Sequence, residues 1–434
     1  MRKAAFYTLG CKVSQYETEA IAEAFRDRGY EICDFSDVCD VYVINTCTVT
    51  AEADRKSRQV IRRAKKINPC AKVLVCGCYS QRSPDEVEAI PDVDAVIGSA
   101  GKMELVDIAE RLLLGGEREI RVTDLGKEPF EPMRITEGPR TRVYVKIEDG
   151  CGSRCTYCAI RSARGPVRSK PRDAVIEEVE ALAKSGVAEI VLTGIETGSY
   201  GEDFPSDYRL ADLIAELDER KSAELIRLGS LAPEQIGEDF VRKTRGRSIL
   251  APHFHLSIQS GSDKILRSMK RRYSRKMALD NIKRIREAYP RVTFTTDIMV
   301  GFPGETEEDF LDSLSFAEEA RFLDAHVFTY SKRKDTPAAT YPDQVPECEK
   351  KKRSEILIKR VAEIRREVLA EMVSSGEALP TVFETNSDGV WIGHSDNYAE
   401  IKVECQKDIH GARLPVRPLR VEGDSIIGEI IDFC

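Results

Sequence analysis

The sequence lacks any run approaching the roughly 20 consecutive apolar residues of a membrane-spanning helix, which argues against a membrane protein. Its opening, Met1-Arg2-Lys3-Ala4-Ala5-Phe6-Tyr7, lacks an apolar stretch of signal-peptide length, so the sequence predicts a cytoplasmic protein. It also lacks a basic excess. Its 66 Lys and Arg stand against 74 Asp and Glu, a net charge of −8, which argues against a general nucleic-acid binder but leaves room for a local basic patch. In a reducing compartment the thirteen cysteines have little use as disulfides and point to metal or catalysis. At 434 residues and 41% hydrophobic content, the chain is long enough for two or three domains with sizeable cores.

Three of those cysteines lie within eight residues, in Glu148-Asp149-Gly150-Cys151-Gly152-Ser153-Arg154-Cys155-Thr156-Tyr157-Cys158. Three thiolates on a glycine-bearing loop can wrap one small cluster. A structural zinc site is usually closed by four protein ligands, and a 4Fe-4S cluster normally takes four cysteines. A set of three leaves one iron open for chemistry. The competing reading of Cys151, Cys155 and Cys158 is a disulfide or zinc loop.

The first third reads as alternating strand and helix. Strands are expected at 4–9, 41–46 and 72–76, with helices at 14–28 and 52–67 and further strand-like and helix-like stretches to about Leu114. This predicts a doubly wound parallel α/β domain over residues 1–123. Ligands of such sheets sit beyond the carboxyl ends of the strands. Cys11, Cys47 and Cys78 each fall at such an end, so three scattered thiols can converge on one site. Cys78 is preferred to Cys76 because Cys76 lies within a strand run and Cys78 lies past Gly77. Cys33, Cys39, Cys70, Cys348, Cys405 and Cys434 are read as small packed hydrophobes.

Residues 124–142, with Pro129, Pro132, Gly138 and Pro139 among charges, have linker composition. Residues 143–373 then carry six strand candidates, at 143–148, 189–195, 225–231, 253–259, 292–301 and 325–331. Helical stretches separate them, and a charged helix trails over about 347–373. Six βα units fall short of the eight of a closed barrel and predict an open partial barrel. Its marked residues again lie at strand ends: Thr193, Gly194 and Glu196; Gln259 and Ser260; Gly301 and Gly304, where glycine permits close backbone approach. Thr306 and Asp309 fit a helix-opening capping box. Basic clusters contain Arg164 and Arg168, then Arg271 and Arg272, then Lys332 and Arg333. These are read as a rim for a phosphate backbone, against the commoner reading of a solvated face. Residues 374–434 turn to about five short strands, predicting a small β-barrel of OB type. From Ser375 onward five Lys or Arg face eleven Asp or Glu.

The CxxxCxxC loop resembles the signature of radical S-adenosylmethionine (SAM) enzymes. Leu9-Gly10-Cys11-Lys12-Val13-Ser14-Gln15-Tyr16-Glu17, Asn45-Thr46-Cys47-Thr48-Val49-Thr50 and Gly77-Cys78-Tyr79-Ser80-Gln81 look like the N-terminal motifs of the radical-SAM methylthiotransferases. The resemblance covers nearly the whole chain. It implies one 4Fe-4S cluster on Cys151, Cys155 and Cys158, whose open iron chelates SAM and generates a 5′-deoxyadenosyl radical. It implies an auxiliary 4Fe-4S cluster on Cys11, Cys47 and Cys78, which carries the sulfur to be inserted. Two SAM molecules are expected per product, one as radical source and one as methyl donor. Thr193, Gly194, Glu196, Gln259, Ser260, Gly301 and Gly304 are expected to line the SAM pocket, with Tyr157 near the adenine. Glu196 stands where the family has a neutral residue or histidine.

The C-terminal barrel resembles a TRAM module, on Asp396-Asn397-Tyr398 and His410-Gly411. The first motif and Tyr330-Ser331-Lys332-Arg333-Lys334-Asp335-Thr336-Pro337-Ala338 look most like the branch acting on N6-threonylcarbamoyladenosine at tRNA position 37. The alternatives within the family are N6-isopentenyladenosine in tRNA and a ribosomal-protein aspartate. Implied partners are the tRNA anticodon stem-loop, a reductant such as flavodoxin or ferredoxin, and a sulfur donor the sequence does not identify. A non-catalytic iron–sulfur sensor or RNA-binding protein is the rival from another class. Two open-iron sets argue against it, since carriers usually have fully ligated clusters.

Overall fold

The structure is a computed structural model that describes residues 1–138 and 141–431. Pro139 of the expected linker and Cys434 lie outside the described residues.

The first six strands are β1 (Lys3–Thr8), β2 (Glu31–Cys33), β3 (Val41–Thr46), β4 (Lys72–Gly77), β5 (Ala95–Ile97) and β6 (Glu119–Arg121). They form one parallel sheet in the order β2-β1-β3-β4-β5-β6. β3 is buried at every position, as expected of a central parallel strand covered on both faces. Helix Lys12–Asp27 packs on one face with Tyr16, Ala20, Ile21 and Phe25. Helix Ala51–Ile67 packs on the other with Val60, Ile61 and Ala64, its start capped by Thr50 accepting from Ala53 N. The strand order reverses between β1 and β3, and the crevice at such a reversal is where doubly wound sheets hold ligands. β1 runs into Cys11 and β3 into Cys47.

The expected linker is packed rather than free. Leu125, Met133 and Ile135 are buried, and the Met133 carbonyl accepts from the Tyr16 hydroxyl (2.8 Å).

The central domain adds β7 (Arg142–Lys146), β8 (Glu148–Asp149), β9 (Arg168–Ser169), β10 (Glu189–Thr193), β11 (Ile226–Leu228), β12 (His253–Gln259), β13 (Thr293–Val300) and β14 (Asp324–Thr329). β7, β10 and β11 form one parallel sheet, and β12, β13 and β14 another. Parallel bridges Ile226–Leu250 and Leu231–Leu256 join them, giving a six-stranded open partial barrel. The capping box forms: Thr306 accepts from Asp309 N, and the Asp309 carboxylate accepts from Thr306 N. The helix that follows, Glu307–Ala320, packs Phe310, Phe316, Ala317 and Ala320 into the barrel core.

Helix Glu347–Ser375 ends at Gly376 in the left-handed region, and a closed five-stranded barrel follows. Its strands are β15 (Leu379–Ser387), β16 (Val390–Ser395), β17 (Glu400–Glu404), β18 (Arg413–Glu422) and β19 (Ser425–Ile430). This barrel docks on the amino ends of the central strands. Arg142, Glu189, His253 and Thr293 each open a central strand. Glu189 accepts from Arg142 (2.6 Å) and Arg227 (2.7 Å), and Arg227 donates on to the Asp396 carbonyl (2.9 Å). Tyr398 stacks on His253 and His394 with ring centroids 4.4 and 5.0 Å away.

Burial opposes the Glu189 charge, but the two guanidiniums outweigh it and hold the carboxyl down at about 2. Removing one partner of a buried ion pair strands the others without compensation. Glu189→Gln is therefore expected to cost about 3–5 kcal/mol in urea unfolding at pH 7. Because the folded carboxyl titrates below its unfolded value, that stability is present above pH 4.5 and is lost as pH falls toward 2. The gap between parent and variant should close over that window.

Candidate active site

Local backbone brings the first three cysteines together. Gly10 lies at φ +118°, where a side chain would strain the backbone, and a Cβ there would crowd the β3 loop, 3.2 Å from the Cys47 Cβ. Gly77, at φ +100°, ends β4, where a Cβ would meet the Thr46 carbonyl oxygen at 2.6 Å. Cys78 then opens the one-turn helix Cys78–Arg82. Burial pushes the Cys47 thiol up to about 11, and the neighbouring Cys78 and Cys11 sulfurs add to the rise. Burial also raises the Cys78 thiol, while Arg164 pulls it back. Cys76 lies in the strand within the hydrophobic core, its thiol raised to about 12 by burial.

The second trio is held by a different device. β8 and β9 pair antiparallel on either side of the loop, Glu148 with Ser169 and Asp149 with Arg168. A Cβ on Gly150 would lie 1.8 Å from the Pro166 carbonyl oxygen, so no other residue closes this clamp. Each sulfur accepts an N–H. Ser153 N donates to Cys151 (3.3 Å), Ile160 N to Cys158 (3.4 Å) and Arg271 Nη1 to Cys155 (3.4 Å). Such donors suit thiolates of an anionic cluster. Burial raises the Cys158 thiol to about 11, with Cys155 adding to it. Cys151 is pushed higher by burial and by Glu196, whose carboxylate lies 3.1 Å from its sulfur. Among the described residues no three His, Cys, Asp or Glu side chains close on a single metal ion. The N–H donors at all three sulfurs of the CxxxCxxC loop fit a cluster.

The segments that carry the two trios adjoin. The helix that Cys78 opens packs against Ile160–Arg164, the helix that follows Cys158. Arg164 spans the gap: its Nε donates to Cys78 Sγ (3.0 Å) and its guanidinium pairs with Glu17 and Asp149.

The expected SAM residues gather at the carboxyl ends of the central strands. Thr193 is buried at the end of β10, and a Cβ on Gly194 would meet Glu148 Oε2 at 2.6 Å. Glu148 accepts from Glu196 N (2.9 Å), and burial raises its carboxyl well above the usual range. Gln259 takes φ +65° at a bulge in β12, and buried Ser260 lies beside Ser313. Gly301 and Gly304 both have positive φ; a Cβ at Gly301 would strike Lys350, whereas Gly304 has open space. Tyr157 packs near Phe302 in the same apolar cluster. Glu148 Oε1, Thr197 Oγ1 and Glu234 Oε2 are buried without partners. Orphaned polar atoms in one region fit a polar ligand such as SAM.

The expected basic rim is corrected in part. Arg164, Arg168 and Arg333 are buried, at 0%, 7% and 6% exposure, so they cannot present charge to a phosphate backbone. Arg164 and Arg168 join an internal ion network, and Arg333 ties the loop after β14 to Thr48 and Asp54 of the N-terminal domain (both 2.9 Å). Arg271 turns inward to Cys155 and the Ser257 carbonyl. Arg272 and Lys332 remain exposed. Cys70 and Cys348 are exposed, and Cys33 and Cys405 half-buried, rather than packed as expected. Sequence reasoning also passed over Glu17, Lys102, Lys146 and Asp149. The one available signal was a charged residue inside an apolar strand, as at Lys146.

A partial barrel with a three-cysteine loop at the carboxyl end of its first strand defines a radical-SAM enzyme. The Radical SAM superfamily profile matches residues 145–317, and one described as uncharacterized protein family UPF0004 matches residues 3–98. The chain is similar to the threonylcarbamoyladenosine tRNA methylthiotransferase MtaB of Bacillus subtilis (strain 168), 40% identical over 97% of this chain and 94% of that protein. The protein of the same name from Aquifex aeolicus (strain VF5) is 38% identical over 94% and 98%. A tRNA-2-methylthio-N(6)-dimethylallyladenosine synthase of Clostridium perfringens (strain 13 / Type A) is 30% identical over 98% and 97%. Among solved structures, the radical SAM methyltransferase TsrM of Kitasatospora setae shares the fold, with a TM-score of 0.56 at 15% identity over 90% of this chain and 79% of that one. The chain belongs to the radical-SAM methylthiotransferase family, whose members carry two 4Fe-4S clusters and use SAM. No helix among the described residues is long and apolar enough to cross a membrane.

Proposed function

We propose that this enzyme methylthiolates carbon 2 of N6-threonylcarbamoyladenosine at position 37 of tRNA. The observation that supports the reading is that the helix opened by Cys78 packs on the helix that follows Cys158. The higher identity to the threonylcarbamoyladenosine relatives, 40% against 30%, favours that substrate over the dimethylallyl one.

In this reading Cys151, Cys155 and Cys158 hold the radical-generating cluster, and Cys11, Cys47 and Cys78 the auxiliary one. Bound clusters and SAM supply hydrogen abstraction, sulfur and methyl, which ordinary side chains cannot deliver at an electron-poor ring carbon. The chain's residues orient and shield. Arg271 holds Cys155, Glu148 fixes the turn carrying Glu196, and Thr193, Gly194, Gln259, Ser260, Gly301 and Gly304 wall the SAM pocket, with Tyr157 behind it. Arg272 and Lys332 offer exposed charge to the anticodon stem-loop. Residues 1–123, 143–373 and 374–434 serve as three domains joined by the segment 124–142. The enzyme works in the cytoplasm with a reductant of the flavodoxin or ferredoxin class and a separate sulfur donor.

Nucleoside mass spectrometry of tRNA from cells with and without the gene tests this. Loss of the 2-methylthio derivative, with its precursor accumulating, is expected. An unchanged profile in cells lacking any second such enzyme overturns it, and loss of the isopentenyl derivative reassigns the substrate.

A further inference from the structure

Arg164 lies at the centre of a buried ion network that joins the N-terminal domain to the partial barrel. Glu17 comes from the helix after Cys11 and is fully buried. It pairs with Lys102 (2.5 Å), Lys146 (2.7 Å) and Arg164. Asp149, immediately before the CxxxCxxC loop, pairs with Lys146 (2.8 Å), Arg164 (3.4 Å) and Arg168 (3.5 Å). Four cations therefore meet two carboxylates. A third carboxyl, Glu131 from the linker, faces Lys102 and Lys146. Glu148 also faces Lys146, but burial raises its carboxyl well above the usual range, so in direct contacts the four cations meet only two carboxylates. A buried surplus charge is costly unless something anionic compensates it. The remaining direction of the Arg164 guanidinium is Cys78, whose sulfur receives its Nε–H at 3.0 Å.

We propose that Arg164 is a positioning residue that couples the two cluster sites, fixing Cys78 against the CxxxCxxC loop and raising the reduction potential of the auxiliary cluster. This rests on the assignment of that cluster to Cys11, Cys47 and Cys78. A cation against a cluster thiolate favours the more negative, reduced state, and outer-shell donors and local charge set cluster potentials. Three features separate this from an ordinary interface ion pair. The guanidinium touches a sulfur, its carboxylate partners come from the chain segments following Cys11 and preceding Cys151, and the network carries more positive than negative charge.

The test uses full-length protein with Cys151, Cys155 and Cys158 replaced by alanine, so that only the auxiliary cluster remains. Iron per chain and an EPR-monitored reduction titration are measured for this parent and for the same protein carrying Arg164→Met or Arg164→Lys. The expected result is less iron and a more negative midpoint in Arg164→Met, with Arg164→Lys recovering much of the midpoint because the charge returns. A midpoint and iron content in Arg164→Met equal to the parent's overturn the proposal, as does a lysine variant shifted as far as the methionine one. Where circular dichroism shows that Arg164→Met does not fold, Arg168→Met decides. It removes a cation of the same network without touching a sulfur, and its midpoint is expected to shift the same way by less; no shift overturns the proposal. A parent without a cluster would instead overturn the ligand assignment itself, and the proposal with it.

Discussion

Replacing Cys151, Cys155 and Cys158 together by alanine is expected to abolish SAM cleavage and methylthiolated product while leaving about half the iron. The loss should be at least about 10⁶-fold, down to background, since nothing else in the chain can replace the radical. The half that stays is as informative as the half that goes. The two trios lie on different strand sets, one on the ends of β1, β3 and β4 and the other between β8 and β9, so each is held by its own backbone. Iron analysis, SAM cleavage under reductant and nucleoside analysis give three independent readouts. Retained SAM cleavage would place the radical cluster elsewhere.

The second large effect separates two cysteines two residues apart. Cys78→Ala is expected to lose about half the iron and all methylthiolated product, yet to keep cleaving SAM. Cys76→Ala should keep both clusters and its activity. The reason is geometric: Cys76 points from β4 into the core beside Leu74 and Ala95, while Cys78 begins the helix that meets Arg164. Removing one buried sulfur from that core should cost about 1 kcal/mol in stability. The reverse pattern, with Cys76→Ala losing iron, would reject the assignment.

Much of this was legible in the sequence because parallel strands announce themselves. The runs ending at Cys11, Cys47 and Cys78 are largely apolar, the first and last closed by Gly10 and Gly77, and the fold places such ends on one edge. The three-residue strands β2, β5 and β6 are too short to carry a period, so they blended into loops. The basic residues were the harder case. Arg164, Arg168 and Arg333 sit in charged stretches that look like any solvated face, and nothing local says that another domain covers them. Their partners, Glu17, Asp149 and Asp54, lie between 15 and 279 residues away in the chain. The burial within the segment 124–138 was hidden for a similar reason. Proline and charge describe how it runs, while Met133 and Ile135, buried against neighbouring domains, decide what it does.

The docking of the C-terminal barrel has a practical consequence. Arg227 lies with its guanidinium between Glu189 of the central domain and the carbonyls of Ser395 and Asp396, and Tyr398 covers His253. Cutting the chain before the C-terminal barrel would leave that arginine short of two acceptors and open the floor of the partial barrel to water. The C-terminal barrel is thus a foundation stone and not a detachable attachment. A truncated enzyme that no longer modifies RNA would report a damaged floor, whether or not the missing piece ever touched the RNA. Its contribution to recognition has to be measured by surface substitutions on an intact chain, far from the seam.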